Sequence, residues 1–342
     1  QFSMTMDGQS VANVSWMFDH VVSLSWLVGG DKGLTVLKAL LAGISAFLLV
    51  RISIPGVSSW WTSICAVFAI VACSTDFMPV PELITVLGMT LTMRLLVKHR
   101  LGKADGLIWK LPVLIAVWCN FDSHAWVGAG VVFAYAVGSA ISGRIAARKQ
   151  SLAAVAEQKT LLLPALLGVV ALLVNPFHIN SLLAPLTTYS TEYPAMAAQR
   201  KLTTDAARIR FDGRVDFFSI LNSDAIQLFD HSHVAGIALL IMAAVVLLLA
   251  RSARDLGFLM VFLFVLLLSI IAAHELPAAS IAAAVIAGIV AQDWYRRSFN
   301  MQYSTDSREL MFSRGGRAAT VLGLAMIGFC VVASRLPGAV PL

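Results

Sequence analysis

Residues 107–141 read LIWKLPVLIAVWCNFDSHAWVGAGVVFAYAVGSAI, and the polar knot at its centre, within VWCNFDSHAWVG (117–128), decides how they fold. Without Asn120, Asp122, Ser123 and His124 this would be one apolar run of about 35 residues, well beyond the ~20 that a helix needs to cross a bilayer. With them, it divides into two helix-length pieces, 107–120 and 125–141, joined by a short turn.

The rest of the chain repeats that rhythm. Of 342 residues, 58% are hydrophobic and only 13% charged, and the mean hydropathy is +0.82. Soluble domains are about half apolar and a quarter charged, so the composition is that of an integral membrane protein. The apolar runs are helix-length rather than the ~10-residue alternating segments of an outer-membrane barrel. In lipid, backbone groups must be satisfied within the segment, which helices achieve. The expected fold is all-α: a polytopic transmembrane bundle of about ten helices with extracytoplasmic interfacial helices. The expected spans are 34–50, 60–74, 82–97, 107–120, 125–141, 160–174, 233–250, 255–273, 277–291 and 318–334. Four parts follow: an interfacial segment (1–33), a first bundle (34–174), a loop or cap (175–232) and a second bundle (233–342).

The net charge of +6 reports topology rather than a nucleic-acid partner. Arg51, Lys98/Arg100/Lys103, Arg144/Arg148/Lys149/Lys159, Arg251/Arg254 and Arg296/Arg297/Arg308/Arg314/Arg317 fall in alternate loops, the cytoplasmic ones under the positive-inside rule. The expected location is a bacterial cytoplasmic (inner) membrane, with the polar motifs on the extracytoplasmic side. Those motifs are PVPEL (79–83), the knot, NPFHIN (175–180) and HELP (274–277). Six of the seven histidines, all but His99, lie on that side.

VSWMFDHVVSLSWLV, ending at Gly29-Gly30, reads as an interfacial helix with Trp16 and Trp26 at headgroup level and the glycines stopping it. The loop 175–232 is long enough to be a folded cap, and its RKLTTDAARIRFDGR stretch places Arg200, Arg208 and Arg210 where they could hold phosphate or form a solvated amphipathic helix. Because the chain opens in mid-loop without a hydrophobic anchor, further chain is expected to precede Gln1.

Ionisable residues at the ends of membrane helices are costly unless they pair, face a cavity or do chemistry, which singles out Glu82, Asp122 and Glu275. Each has a plain alternative: Asp122 could cap its own helix ends, and Glu82, following Pro81, could complement a helix macrodipole. A divalent metal held by Asp122, His124, His178 and His274 is chemically feasible, but no HxxxH pair fixes two ligands on one helix face, so none is required. The four cysteines (Cys65, Cys73, Cys119, Cys330) lack CxxC spacing and read as packing residues. No GxGxxG, Walker or GxSxG motif is present in the sequence.

Taken in order, FSMTMDGQSVANVSWMFDH, Val80-Pro81-Glu82-Leu83, Trp118-Cys119-Asn120-Phe121-Asp122, Asn175-Pro176-Phe177-His178 and His274-Glu275-Leu276-Pro277 resemble the extracytoplasmic motifs of a group of bacterial polytopic proteins similar to the GT-C superfamily of lipid-linked-sugar glycosyltransferases. The resemblance spans most of residues 1 to about 290. Departures stand at Val80 and His274, where the group has Arg, at Asp122, where it has His, and at Val11, where it has Trp. The resemblance implies a preceding helix followed by an acidic residue, the usual catalytic carboxylate. It also implies an outside-facing cavity that takes a sugar from a polyprenyl phosphate. On that reading Asp122, Glu82 and Glu275 are the carboxylates and His124 and His274 orient them. Asn120, Asn175, His178, Arg200, Arg208 and Arg210 then contact substrate.

The alternative is a catalytically degenerate relative serving as a structural subunit among other membrane subunits, in contact with membrane lipids. A transporter would carry charges in mid-span, and here only Arg94 and Lys110 approach that, both near helix ends where they can snorkel.

Overall fold

The computed structural model describes residues 14–55, 57, 59–102, 106–147, 161–179, 231–250, 255–272 and 275–298. The described helices are α1 (Trp16–Val50), α2 (Trp60–Ala72), α3 (Glu82–Arg100), α4 (Lys110–Phe121), α5 (Ala125–Ala147), α6 (Leu162–Ala171), α7 (His231–Leu249), α8 (Leu256–Ile271) and α9 (Leu276–Ser298). Short 3-10 turns lie at Ser74–Asp76, Leu107–Trp109 and Leu172–Val174, and there is no strand among the described residues. Nine of the ten expected spans therefore coincide with helices, and 318–334 lies outside the described residues. By length and apolarity, four helices can cross a membrane: α1, α5, α7 and α9. Helices α2 and α8, and α4 and α6 with their flanking 3-10 turns, are apolar but shorter, while α3 carries Glu82, Lys98, His99 and Arg100 at its ends and is not one of the four.

Helix α1 departs from expectation in one respect. Gly29-Gly30 does break it, with Gly30 at φ 55 and ψ −138, but no loop intervenes and the helix resumes at once. The two halves pack so closely that a Cβ on Gly33 would lie 2.1 Å from the Ser25 carbonyl oxygen. The apolar residues at this corner, Trp26, Leu27 and Val28, are exposed.

Helix α9 is the opposite case. In its most apolar stretch 89% of residues are buried, against 11% for α1. Its sequence, LPAASIAAAVIAGIVAQ, explains this, because small side chains let α2, α3, α7 and α8 approach from all sides. Packing is similarly close elsewhere. Trp118 of α4 fills a slot between Gly88 of α3 and Gly128 of α5, where a Cβ would come within 2.5 and 2.3 Å of the indole. Backbones of α5 and α8 touch at Gly138, where a Cβ would lie 2.2 Å from the Leu256 carbonyl oxygen. Helices on both sides of residues 180–230 contribute to one hydrophobic core.

Polar contacts tie the helix ends together in two places. At one end, Arg100 of α3 pairs with Asp255 before α8 (2.7 Å) and Asp293 of α9 (3.1 Å), its guanidinium lying over the Phe258 ring. Nearby, Gln292 accepts the Ile54 amide at 3.0 Å. At the other end gather the last residue after α2, the first turn of α3, the α4–α5 turn, the turn after α6 and the start of α9; there Cys73 donates to the Pro277 carbonyl and Asn175 to the Cys119 carbonyl.

Candidate functional site

The α4–α5 turn is built by Asp122. Helix α4 stops at Phe121 because Asp122 turns extended, at φ −150 and ψ 137. Its Oδ1 accepts the His124 backbone amide at 3.2 Å, an Asx turn that lets the chain re-enter a helix at Ala125. The same oxygen meets the His124 ring nitrogen Nδ1 at 2.9 Å, and Oδ2 accepts the Thr85 hydroxyl of α3. Capping and pairing, which the sequence presents as alternatives, are here performed by one carboxylate.

His124 extends the network. Its Nε2 lies 3.6 Å from Oε1 of Glu275, in the residue preceding α9. Glu82, the first residue of α3, is near enough to feel the charges of both Asp122 and His124. Three carboxylates from distant parts of the chain thus surround one imidazole. Asp122 and Glu275 are 1% and 2% exposed, the His124 side chain 14%, and Glu82 is the least buried carboxylate of the three.

These neighbours set the charge states. Burial works against a charged His124 ring, but the Asp122 carboxylate, Glu275, the hydrogen bond that the ring donates to Asp122, and the charge of Glu82 together outweigh it and push the imidazole up to about 10. Burial likewise opposes the Asp122 anion, yet the His124 charge and the hydrogen bonds from His124 and Thr85 hold its carboxyl below the usual range. A raised histidine stabilises the fold fully below its unfolded value of ~6.5 and loses that contribution as pH climbs through the folded value. Thermal unfolding in detergent should therefore show stability falling from neutral pH towards 10, and His124→Gln should flatten that slope. Parallel profiles for the two proteins would contradict the pairing.

Of the other residues expected in the site, Asn120 and Asn175 have partners within the chain. Trp16 Nε1 donates to Asn120 Oδ1 at 3.1 Å. The Asn175 amide donates to the carbonyls of Val14 (3.0 Å) and Cys119 (2.7 Å), while its Oδ1 accepts the Phe177 amide. Together they fasten the start of α1 beside the cluster. His178, exposed and at positive φ, turns Nδ1 to the Leu173 carbonyl. His274, Arg200, Arg208 and Arg210 lie outside the described residues. Among the described residues no group of three or more His, Cys, Asp or Glu is arranged to hold a metal ion. Nδ1 of His124 is engaged by Asp122, and its Nε2 lies 3.6 Å from Glu275. Thr85 was not among the expected residues; its one signal in the sequence is its i+3 spacing from Glu82, which puts both on one face of α3.

No family model, curated protein or solved structure matches the chain.

Proposed function

We propose that the chain is a GT-C-like membrane glycosyltransferase that takes a sugar from a polyprenyl phosphate at the extracytoplasmic face of a bacterial cytoplasmic membrane. The observation that carries this reading is the convergence of Glu82, Asp122, His124 and Glu275 at one end of an apolar bundle. The basic residues Lys98 and Arg100 end α3 and Lys110 begins α4, at the opposite end, which supports an outward-facing cluster. The corner of α1, with Trp26, Leu27 and Val28 exposed, suits the headgroup layer.

The roles follow from burial and charge. His124, held protonated between Asp122 and Glu275, orients the carboxylates, and the phosphate charge that develops on the leaving group falls to Arg200, Arg208 or Arg210. Glu82, the least buried carboxylate, is the base. As the acceptor oxygen bonds to the anomeric carbon, its proton passes to Glu82 and the carbon–oxygen bond to phosphate breaks, releasing polyprenyl phosphate. Asp122 and Glu275 hold His124 charged and oriented.

Purified protein in lipid nanodiscs, given polyprenyl-phosphate sugars and a hydroxyl acceptor, should release polyprenyl phosphate. Glu82→Gln should slow this about 100-fold, the lower scale of a lost general base. A wild-type chain without turnover, or a Gln variant as fast as wild type, overturns the reading. One observation favours a second reading, a structural subunit of a larger membrane complex. Asp122 and Glu275 are almost wholly buried, and Asp122 spends both oxygens inside the chain. On that reading the wild-type protein is inert and co-purifies with other membrane subunits.

A further inference from the structure

We infer that Thr85 is a positioning residue: its hydroxyl, given to one oxygen of Asp122, reserves the other for His124 and so fixes the imidazole between Asp122, Glu275 and Glu82. The inference rests on the proposed function for its catalytic meaning, but its geometry stands independently of it.

Asp122 has two oxygens and three donors. Oδ2 takes the Thr85 hydroxyl, while Oδ1 takes both the amide and Nδ1 of His124. A carboxylate free to rotate could share its oxygens with the ring in several ways, each tilting Nε2 differently towards Glu275. With Oδ2 held by Thr85, one arrangement remains. Thr85 and Asp122 are 5% and 1% exposed, so water is not at hand to replace the hydroxyl. Glu82 lies three residues earlier on α3, so this helix delivers both the proposed base and the group that orients its neighbours. Among the described residues, the titratable groups facing Asp122 and His124 include Glu82 from α3 and Glu275 from the start of α9.

The hydroxyl also favours the ionised form of Asp122. A carboxyl lowered on folding contributes stability that is present above the unfolded value and lost as pH falls through the folded one. Without Thr85 the folded value rises, and acid unfolding starts at higher pH.

The test compares Thr85→Val, which keeps shape but removes the hydroxyl, with Thr85→Ser, which keeps the hydroxyl, in thermal unfolding across acid pH and in polyprenyl-phosphate release. In the Val variant the acid onset of unfolding should move to higher pH. The acid limb of the kcat profile should move with it, and kcat at neutral pH should fall about tenfold, the scale of a hydrogen bond lost from a charged group. KM for the lipid-linked sugar should stay put, and the Ser variant should match wild type throughout. Should the Val variant not fold, Thr85→Ala carries the same comparison. A Val or Ala variant with a wild-type acid onset, or a Ser variant displaced as far as Val, overturns the inference. A wild-type chain with no turnover removes the enzyme reading, yet the unfolding profiles still decide the role of Thr85.

Discussion

Asp122→Ala should cost about 3–5 kcal/mol of stability at neutral pH, the scale of a buried ion pair broken from one side. The carboxylate is 1% exposed and serves three donors, so its removal leaves the Thr85 hydroxyl and both His124 groups facing a void. It also removes the strongest influence keeping the His124 ring charged, and the Asx turn that starts α5. Denaturant or thermal unfolding in detergent measures the loss. The double variant Asp122→Ala/His124→Gln should be more stable than the two single losses added together, because the second change removes the stranded cation. A change of less than about 1 kcal/mol would place this cluster with ordinary surface ion pairs.

Gly138→Ala should cost about 3 kcal/mol, more than the same change at Gly88 or Gly128 and in the upper part of the overpacking range. The reason is what the methyl meets. At Gly88 and Gly128 a Cβ would strike the Trp118 indole, and a side chain can shift. At Gly138 it would lie 2.2 Å from the Leu256 carbonyl oxygen, 2.6 Å from its carbon and 2.8 Å from Gly257 Cα. Relief there requires α5 and α8 to separate, and Asp255, which caps α8 through the Gly257 and Phe258 amides, would carry the Arg100 pair with it. Unfolding of Gly138→Ala beside Gly128→Ala tests this, and an equal or larger loss at Gly128 would show that the indole yields less than two backbones do.

The helices were legible in the sequence because apolar runs are punctuated by Pro, Gly and clustered polar residues, and those signals are local. Glu82, Asp122, His124 and Glu275 were legible for a different reason, that an ionisable group at the end of a membrane helix calls for a partner. What the sequence does not contain is the identity of that partner. Asn120 and Asn175 could bond to a ligand or to the chain, and only the fold reveals Trp16, Val14 and Cys119 beside them. Thr85 looks like any threonine on an apolar helix until Asp122 arrives beside it. Arg100, one of a run of loop charges reporting topology, acquires a structural role from Asp255 and Asp293, more than 150 positions away. Gly138 is silent for the same reason, since a glycine within a helix does not announce which backbone will lean on it.

The burial of α9 has a consequence for how the protein is made. A chain delivered to the membrane from its N-terminus presents α2, α3, α7 and α8 before the element they all pack against. Until that element arrives, His124 lacks Glu275, Arg100 lacks Asp293, and the faces later filled by alanines are open to lipid. The order of synthesis thus makes assembly wait on a late helix, so translation halted before residue 275 yields a set of inserted segments without a centre, a form that quality-control proteases can recognise.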